Sequence, residues 1–111
     1  MPRTSTQIST KLFEHARNAA QERNHRFSES AGRDLQQLLM VAGENIVRTH
    51  QAVPNSSENA LLRMATIIIN YIVEQMIEAS REDPSATNTN QLEANTLVRA
   101  KKKICPVWPF C

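Results

Sequence analysis

The segment from Ser57 to Arg81 constrains the fold more than any other part of this chain. Between residues 60 and 73 almost every side chain is apolar, and the polar ones recur at spacings of three and four. Those polar residues are Asn59, Arg63, Thr66, Asn70 and Glu74. The period predicts a long α-helix with one narrow polar stripe. Because a helix that is apolar around most of its circumference must be covered on several sides, we expect a partner chain to share its core.

Three more segments have helical character. Residues 34–49 repeat apolar side chains at three and four positions, and Gly43 within them would permit close approach of a second helix. Residues 10–28 contain good helix formers, but alanines occupy much of their apolar face, so we expect a marginal helix outside the core. Residues 91–100 predict a short last helix. Since the chain has only two glycines, which hairpin turns need, the sequence predicts an all-α fold.

Charge is distributed unevenly along the 111 residues. Residues 1–33 carry a net charge of +3, residues 34–82 carry −3 and residues 83–111 carry +2. The basic first segment is interpreted as an N-terminal arm or accessory helix (1–33) and the residues after the last predicted helix as a C-terminal tail (104–111), which leaves residues 34–103 as the domain between them. We therefore expect that a chain without residues 1–28 still dimerises but binds polyanions more weakly.

Several short stretches carry a resemblance to a known family. They are Val47-Arg48-Thr49-His50, Ser56-Ser57, Ile69-Asn70-Tyr71-Ile72-Val73-Glu74, Glu78-Ala79-Ser80-Arg81, Thr87-Asn88-Thr89 and Leu97-Val98-Arg99. In this order, over residues 34–103, the chain resembles the histone fold, with the best local match to the core histone of the two-B type. The resemblance implies a short helix, a long central helix and a short helix, here with an extra N-terminal helix, and a second histone-fold chain as partner. A different chain is favoured over a second copy.

Basic side chains toward the two ends are candidates for phosphate contact, which needs positive charge and reach but no particular base. The DNA-binding candidates are Arg17, Arg23, Arg26, Arg33, Arg48, Lys101, Lys102 and Lys103. The alternative for the N-terminal arginines is a solvated helix with ion pairs such as Glu22–Arg26, and for the lysines a favourable interaction with a helix dipole. The dimer-interface candidates on the long helix are Leu61, Leu62, Ile68, Ile72 and Met76.

Two functions are compatible with these residues. The first is a histone-like nuclear protein that dimerises through its long helix and binds duplex DNA non-specifically in chromatin or a nucleosome-like particle. The second is an interaction subunit of a larger assembly without direct DNA binding, which could be cytosolic. Residues 85–90 favour the second, because this predicted loop is uncharged where a nucleosomal histone has basic residues.

Other chemistry has little support in the sequence. No nucleophile–base pair, Gly-rich phosphate loop or metal-ligand spacing is visible, so we expect no enzymatic activity, cofactor, metal or small-molecule substrate. His15 and His25 are interpreted as solvated helix positions. The sequence contains no run of about 18 apolar residues, so it predicts no membrane span. Cys105 and Cys111 are expected to be free thiols, with a terminal disulfide loop as the alternative.

Overall fold

The computed structural model describes residues 4–53, 55–82, 90–105 and 107–110. Within these ranges the chain forms four helices and two two-residue strands, which confirms the all-α character. The elements in order are α1 (Ser5–Glu22), β1 (Arg26–Phe27), α2 (Glu29–Ala52), α3 (Glu58–Glu82), β2 (Gln91–Leu92) and α4 (Ala94–Ile104). The strands were not predicted from the sequence. They pair in parallel, with Arg26 opposite Gln91 and Phe27 opposite Leu92.

Capping side chains extend the first two helices beyond their predicted starts. Thr4 and Gln7 form a capping box that begins α1 five residues before the predicted position. The Ser28 hydroxyl accepts a hydrogen bond from the Ala31 amide and begins α2 at Glu29. The domain boundary predicted between residues 33 and 34 therefore falls inside α2. The uncharged loop residues 85–89 lie outside the described part of the chain.

The first helix belongs to the hydrophobic core, so the expectation that residues 1–28 lie outside it is wrong. Its buried apolar side chains are Ile8, Leu12, Ala16, Ala19 and Ala20. The alanines that made its apolar face look weak are small, and they let α1 pack closely against both α2 and α3. The predicted close approach at Gly43 is confirmed, because a Cβ atom added there would lie 2.6 Å from the Ser5 carbonyl oxygen.

Neighbouring helices of the same chain cover one face of the long helix. Of the five predicted interface residues, Leu61, Leu62, Ile72 and Met76 are buried in the chain's own core, and Ile68 packs against that core while half-buried. The polar stripe lies partly along α1, where His15 Nε2 donates a hydrogen bond to Asn70 Oδ1 (3.0 Å). A partner that packs on the folded chain would therefore meet a different face of α3.

The length and composition of α3 would also allow it to cross a membrane. A core helix meets the same criterion. The buried face of α3 against α1 and α4 gives the hydropathy this second explanation.

The C-terminal tail is anchored to the helices rather than peripheral. Cys105 is disulfide-bonded, so the free-thiol prediction is wrong for this residue. Cys111, the other cysteine in the sequence, lies outside the described residues. Phe110 is buried in the core, and Asn45 Nδ2 donates a hydrogen bond to the Pro109 carbonyl oxygen (2.7 Å).

The two glycines of α2 should respond to alanine in opposite ways. We expect Gly43→Ala to lower the free energy of unfolding by about 1–2 kcal/mol, because the new methyl group clashes with the α1 backbone. The cost of this clash exceeds the gain from the higher helix propensity of alanine. Gly32→Ala is the control: its Cβ would meet Phe13 Cζ at an ordinary 3.7 Å, so stability should rise by about 0.5–1 kcal/mol. Urea unfolding of both variants measures this, and a stabilising Gly43→Ala would contradict the close packing.

A second substitution tests whether α1 is part of the core. Leu12→Ala should lower the free energy of unfolding by about 2–5 kcal/mol, because it removes a fully buried side chain. Lys11→Ala, at the exposed neighbouring position, should change it by less than about 0.5 kcal/mol. If both substitutions had equally small effects in thermal unfolding, α1 would be an accessory segment and not part of the core.

Candidate nucleic-acid interface

A basic cleft opens between the C-terminal half of α1, β1 and the first turns of α2. Its volume is about 480 Å³, and Arg17, Arg26 and Arg33 line it together with His25. The three arginines come from three different elements and are all exposed. The fold thus gathers three of the eight predicted phosphate contacts in one place.

A left-handed turn after α1 shapes one end of the cleft. Asn24 has a φ of 60°, the Asn24 amide donates to Gln21 O (2.9 Å), and the His25 amide donates to Ala20 O (2.8 Å). This pair of bonds is the Schellman motif, which usually has glycine at the left-handed position and sometimes asparagine. The turn ends α1 and leads directly into β1.

The parallel pairing of β1 with β2 then fixes the backbone that carries Arg26. The Arg26 amide donates to Asn90 O and the Ser28 amide to Leu92 O, both at 2.9 Å. Ser28 is also the N-cap of α2, so one residue ends the bridge and begins the helix that carries Arg33. These hydrogen bonds fix the backbone conformation on one side of the cleft.

Two aromatic rings form an apolar wall of the cleft. The centroids of Phe13 and Phe27 lie 6.4 Å apart with an interplanar angle of 37°, a tilted arrangement. Both side chains are half-buried and pack against the core. A Cβ atom added at Gly32 would lie 3.7 Å from Phe13 Cζ, so the Phe13 ring lies close to the backbone of α2. This aromatic wall is not apparent from the sequence, because residues 13 and 27 are far apart along the chain.

The electrostatics of the cleft are positive with one opposing carboxylate. Glu29 lies 3.6 Å from Arg33, four residues along the same helix, and both side chains are well exposed at 92% and 68%. A pair this exposed contributes little and leaves the guanidinium able to exchange partners. His25 Nδ1 donates to the Arg23 carbonyl oxygen at 2.6 Å, which orients the ring at the cleft wall.

The other predicted DNA contacts do not line this cleft. Arg23 bonds Glu74 Oε1 (3.0 Å) and the Ala19 carbonyl, so it ties α1 to α3. Lys103 Nζ donates to Gln75 Oε1 (2.7 Å) and ties α4 to α3. Arg48, Lys101 and Lys102 are exposed on α2 and α4. The eight residues therefore divide into one cluster of three and five dispersed side chains.

The histidines occupy structured positions. His15 and His25 are both half-buried and hydrogen-bonded, so the interpretation of them as solvated positions is wrong. Across the described ranges, no group of three or more His, Cys, Asp or Glu residues is placed to hold a metal ion.

Comparison of the chain with family models, with curated proteins and with solved structures gives no match. The resemblance to the histone fold therefore stays a prediction.

The turn at Asn24 allows a direct test of the cleft's local structure. Asn24→Val should lower the free energy of unfolding by about 1–2 kcal/mol, because a branched side chain disfavours the left-handed conformation. Asn24→Gly should stay within about 0.5 kcal/mol of the parent, since glycine adopts this φ freely. Chemical denaturation measures both, and equal losses for valine and glycine would show that the side chain of Asn24, rather than its backbone, matters.

Proposed function

We propose that the protein binds duplex DNA non-specifically through the sugar–phosphate backbone, with the basic cleft as the contact site. The observation that carries this proposal is the convergence of Arg17, Arg26 and Arg33 from three elements on one open cleft. Arginine suits phosphate because its planar guanidinium donates hydrogen bonds in pairs and stays charged.

The composition of the cleft favours backbone contact over recognition of particular bases. Gln21 and Gln36 line it beside the arginines and supply neutral donors, which commonly contact phosphate and sugar oxygens. The cleft contains one carboxylate, Glu29, so its charge balance is positive. Such a site contributes affinity that depends on salt and not on sequence.

The wider role that we propose is histone-like. The chain would pair with another chain through the long helix and act in the nucleus, in chromatin or a nucleosome-like particle. Arg48 and the three lysines of α4 would then add dispersed phosphate contacts. The support for this role is the set of residues quoted for the resemblance. The helix lengths do not add to it, because α2 has 24 residues and α3 has 25, whereas the resemblance implies a short helix before the long one.

The alternative is an interaction subunit of a larger assembly that does not touch DNA. One observation favours it: an apolar row of side chains on α3 is exposed, at residues 64, 67 and 71. In that case the arginines of the cleft would contact acidic side chains of a protein partner.

Salt-dependent binding to a duplex of about 30 base pairs tests the proposal. Replacing Arg17, Arg26 and Arg33 together by alanine should weaken binding and reduce the log–log salt slope by about 2–3, because each phosphate contact contributes about 0.9. The measurement is fluorescence anisotropy over a series of salt concentrations, with circular dichroism to confirm that the variant is folded.

A charge-matched control separates the cleft from net charge. Replacing the exposed Lys11, Arg81 and Arg99 by alanine removes the same three charges outside the cleft and should leave the slope nearly unchanged. Equal losses in the two triple variants would show general attraction without a site. If the parent does not bind at low salt even with its partner present, only the interaction subunit remains.

A further inference from the structure

One face of α3 exposes large apolar side chains in a regular row. The exposed fractions are 51% for Met64, 68% for Ile67 and 44% for Tyr71, and the smaller Ala60 is also exposed. We call these four residues the α3 stripe. Their spacings of four, three and four are those of a coiled-coil seam, and the stripe is about 16 Å long at 1.5 Å per residue.

The stripe lies opposite the face by which α3 contributes to the chain's own core. Leu62, Ile69 and Met76 point into that core, about half a turn away from the stripe. Single exposed apolar residues are common on protein surfaces, but a continuous row at this period is typical of a helix that packs against another helix.

The charged residues beside the stripe have opposite signs at its two ends. Arg63 lies beside its N-terminal half, and Glu74 and Glu78 continue it at the C-terminal end. In an antiparallel pair of identical helices centred near Ile67, Arg63 of each copy comes close to Glu74 of the other. Glu74 already pairs with Arg23 of its own chain at 3.0 Å, so a second guanidinium would complete a network around one carboxylate. Antiparallel helix dipoles favour the same orientation.

We propose that a second copy of this chain packs antiparallel on the α3 stripe and forms a two-fold symmetric dimer. Met64 of one copy would then contact Tyr71 of the other, twice across the axis, with the two Ile67 side chains near the centre. A two-fold interface uses the same surface on both copies, and a row that is symmetric about Ile67 with complementary charges at its ends meets that requirement. The inference rests on the proposed pairing through the long helix and specifies its occupant and face.

The face distinguishes this dimer from the one expected from the sequence. Leu61, Ile72 and Met76 remain in the core of each chain, and the contact is made by residues that no other described element covers. The short seam implies a dimer of moderate affinity, because it is much smaller than a standard protein–protein interface.

Sedimentation velocity over a range of concentrations tests association. The parent should shift to a species of twice the monomer mass, and Met64→Glu should weaken that association by about tenfold or more, because it places an unpaired charge in the seam. The matched control is Met40→Glu, the same substitution at a methionine with 48% exposure on α2, which should associate like the parent. A parent that stays monomeric, or a Met64→Glu variant that dimerises like the parent, would overturn the proposal.

Cross-linking tests the orientation. Single variants Met64→Cys and Tyr71→Cys, mixed and oxidised, should form a covalent dimer in higher yield than either variant alone, since residue 64 faces residue 71 only in the antiparallel arrangement. Met40→Cys, treated in the same way, should give no more cross-linked dimer than the parent. Self-linkage of the Met64→Cys variant in preference to the mixed dimer would indicate parallel helices and reject the model.

DNA binding by the monomeric variant separates this inference from the proposed function. The basic cleft lies on α1, β1 and α2, and the stripe lies on α3, so Met64→Glu leaves the three arginines of the cleft in place. A parent chain that dimerises but shows no affinity for DNA would reject the DNA proposal and keep the second copy. A parent chain that binds DNA but stays monomeric would reject the second copy and keep the DNA proposal.

Discussion

The packing of α1 against α2 and α3 is the constraint on which the rest of the structure depends. Ala16 and Ala20 are fully buried, and Gly43 leaves no room for a methyl group below the α1 backbone. Small side chains on both sides bring the helices close, and close packing gives many favourable dispersion contacts. With α1 in this position, one face of α3 is covered within the chain, and the turn that leads to the basic cleft begins at a fixed point.

The sequence predicted the helices better than the packing between them. The long helix was located within one residue at each end, because its apolar period is strong. The sequence does not reveal the burial of α1, because a small side chain such as alanine gives a weak apolar signal yet is favoured where two helix backbones approach closely. Among the predicted phosphate contacts, Arg17, Arg26 and Arg33 share one cleft, and nothing in their spacing along the chain shows that β1 would pair with β2.

The periodicity of α3 distinguishes the faces of this helix, which its average hydropathy does not. An apolar circumference suggested a helix that one chain could not cover, and the structure divides that circumference into a core face, a polar flank along α1 and an exposed row. The proposed partner contact thus moves from Leu61, Ile72 and Met76 to the other side of the same helix. Sequence period alone identifies a face as apolar but does not say which neighbour covers it.

The bridge between β1 and β2 joins segments 65 residues apart, Arg26 to Gln91 and Phe27 to Leu92, in a protein whose other contacts are mostly between neighbouring helices. Loop closure of that length carries an entropic cost that local helix formation does not, so such contacts tend to form after the local ones. During synthesis, α1 and α2 can pair as soon as residue 52 has left the ribosome, whereas the hydrogen bonds from Arg26 and Ser28 must wait for residues 90–92. The basic cleft is in this sense a late product of folding: the nascent chain carries all three arginines long before the backbone that holds Arg26 is in place.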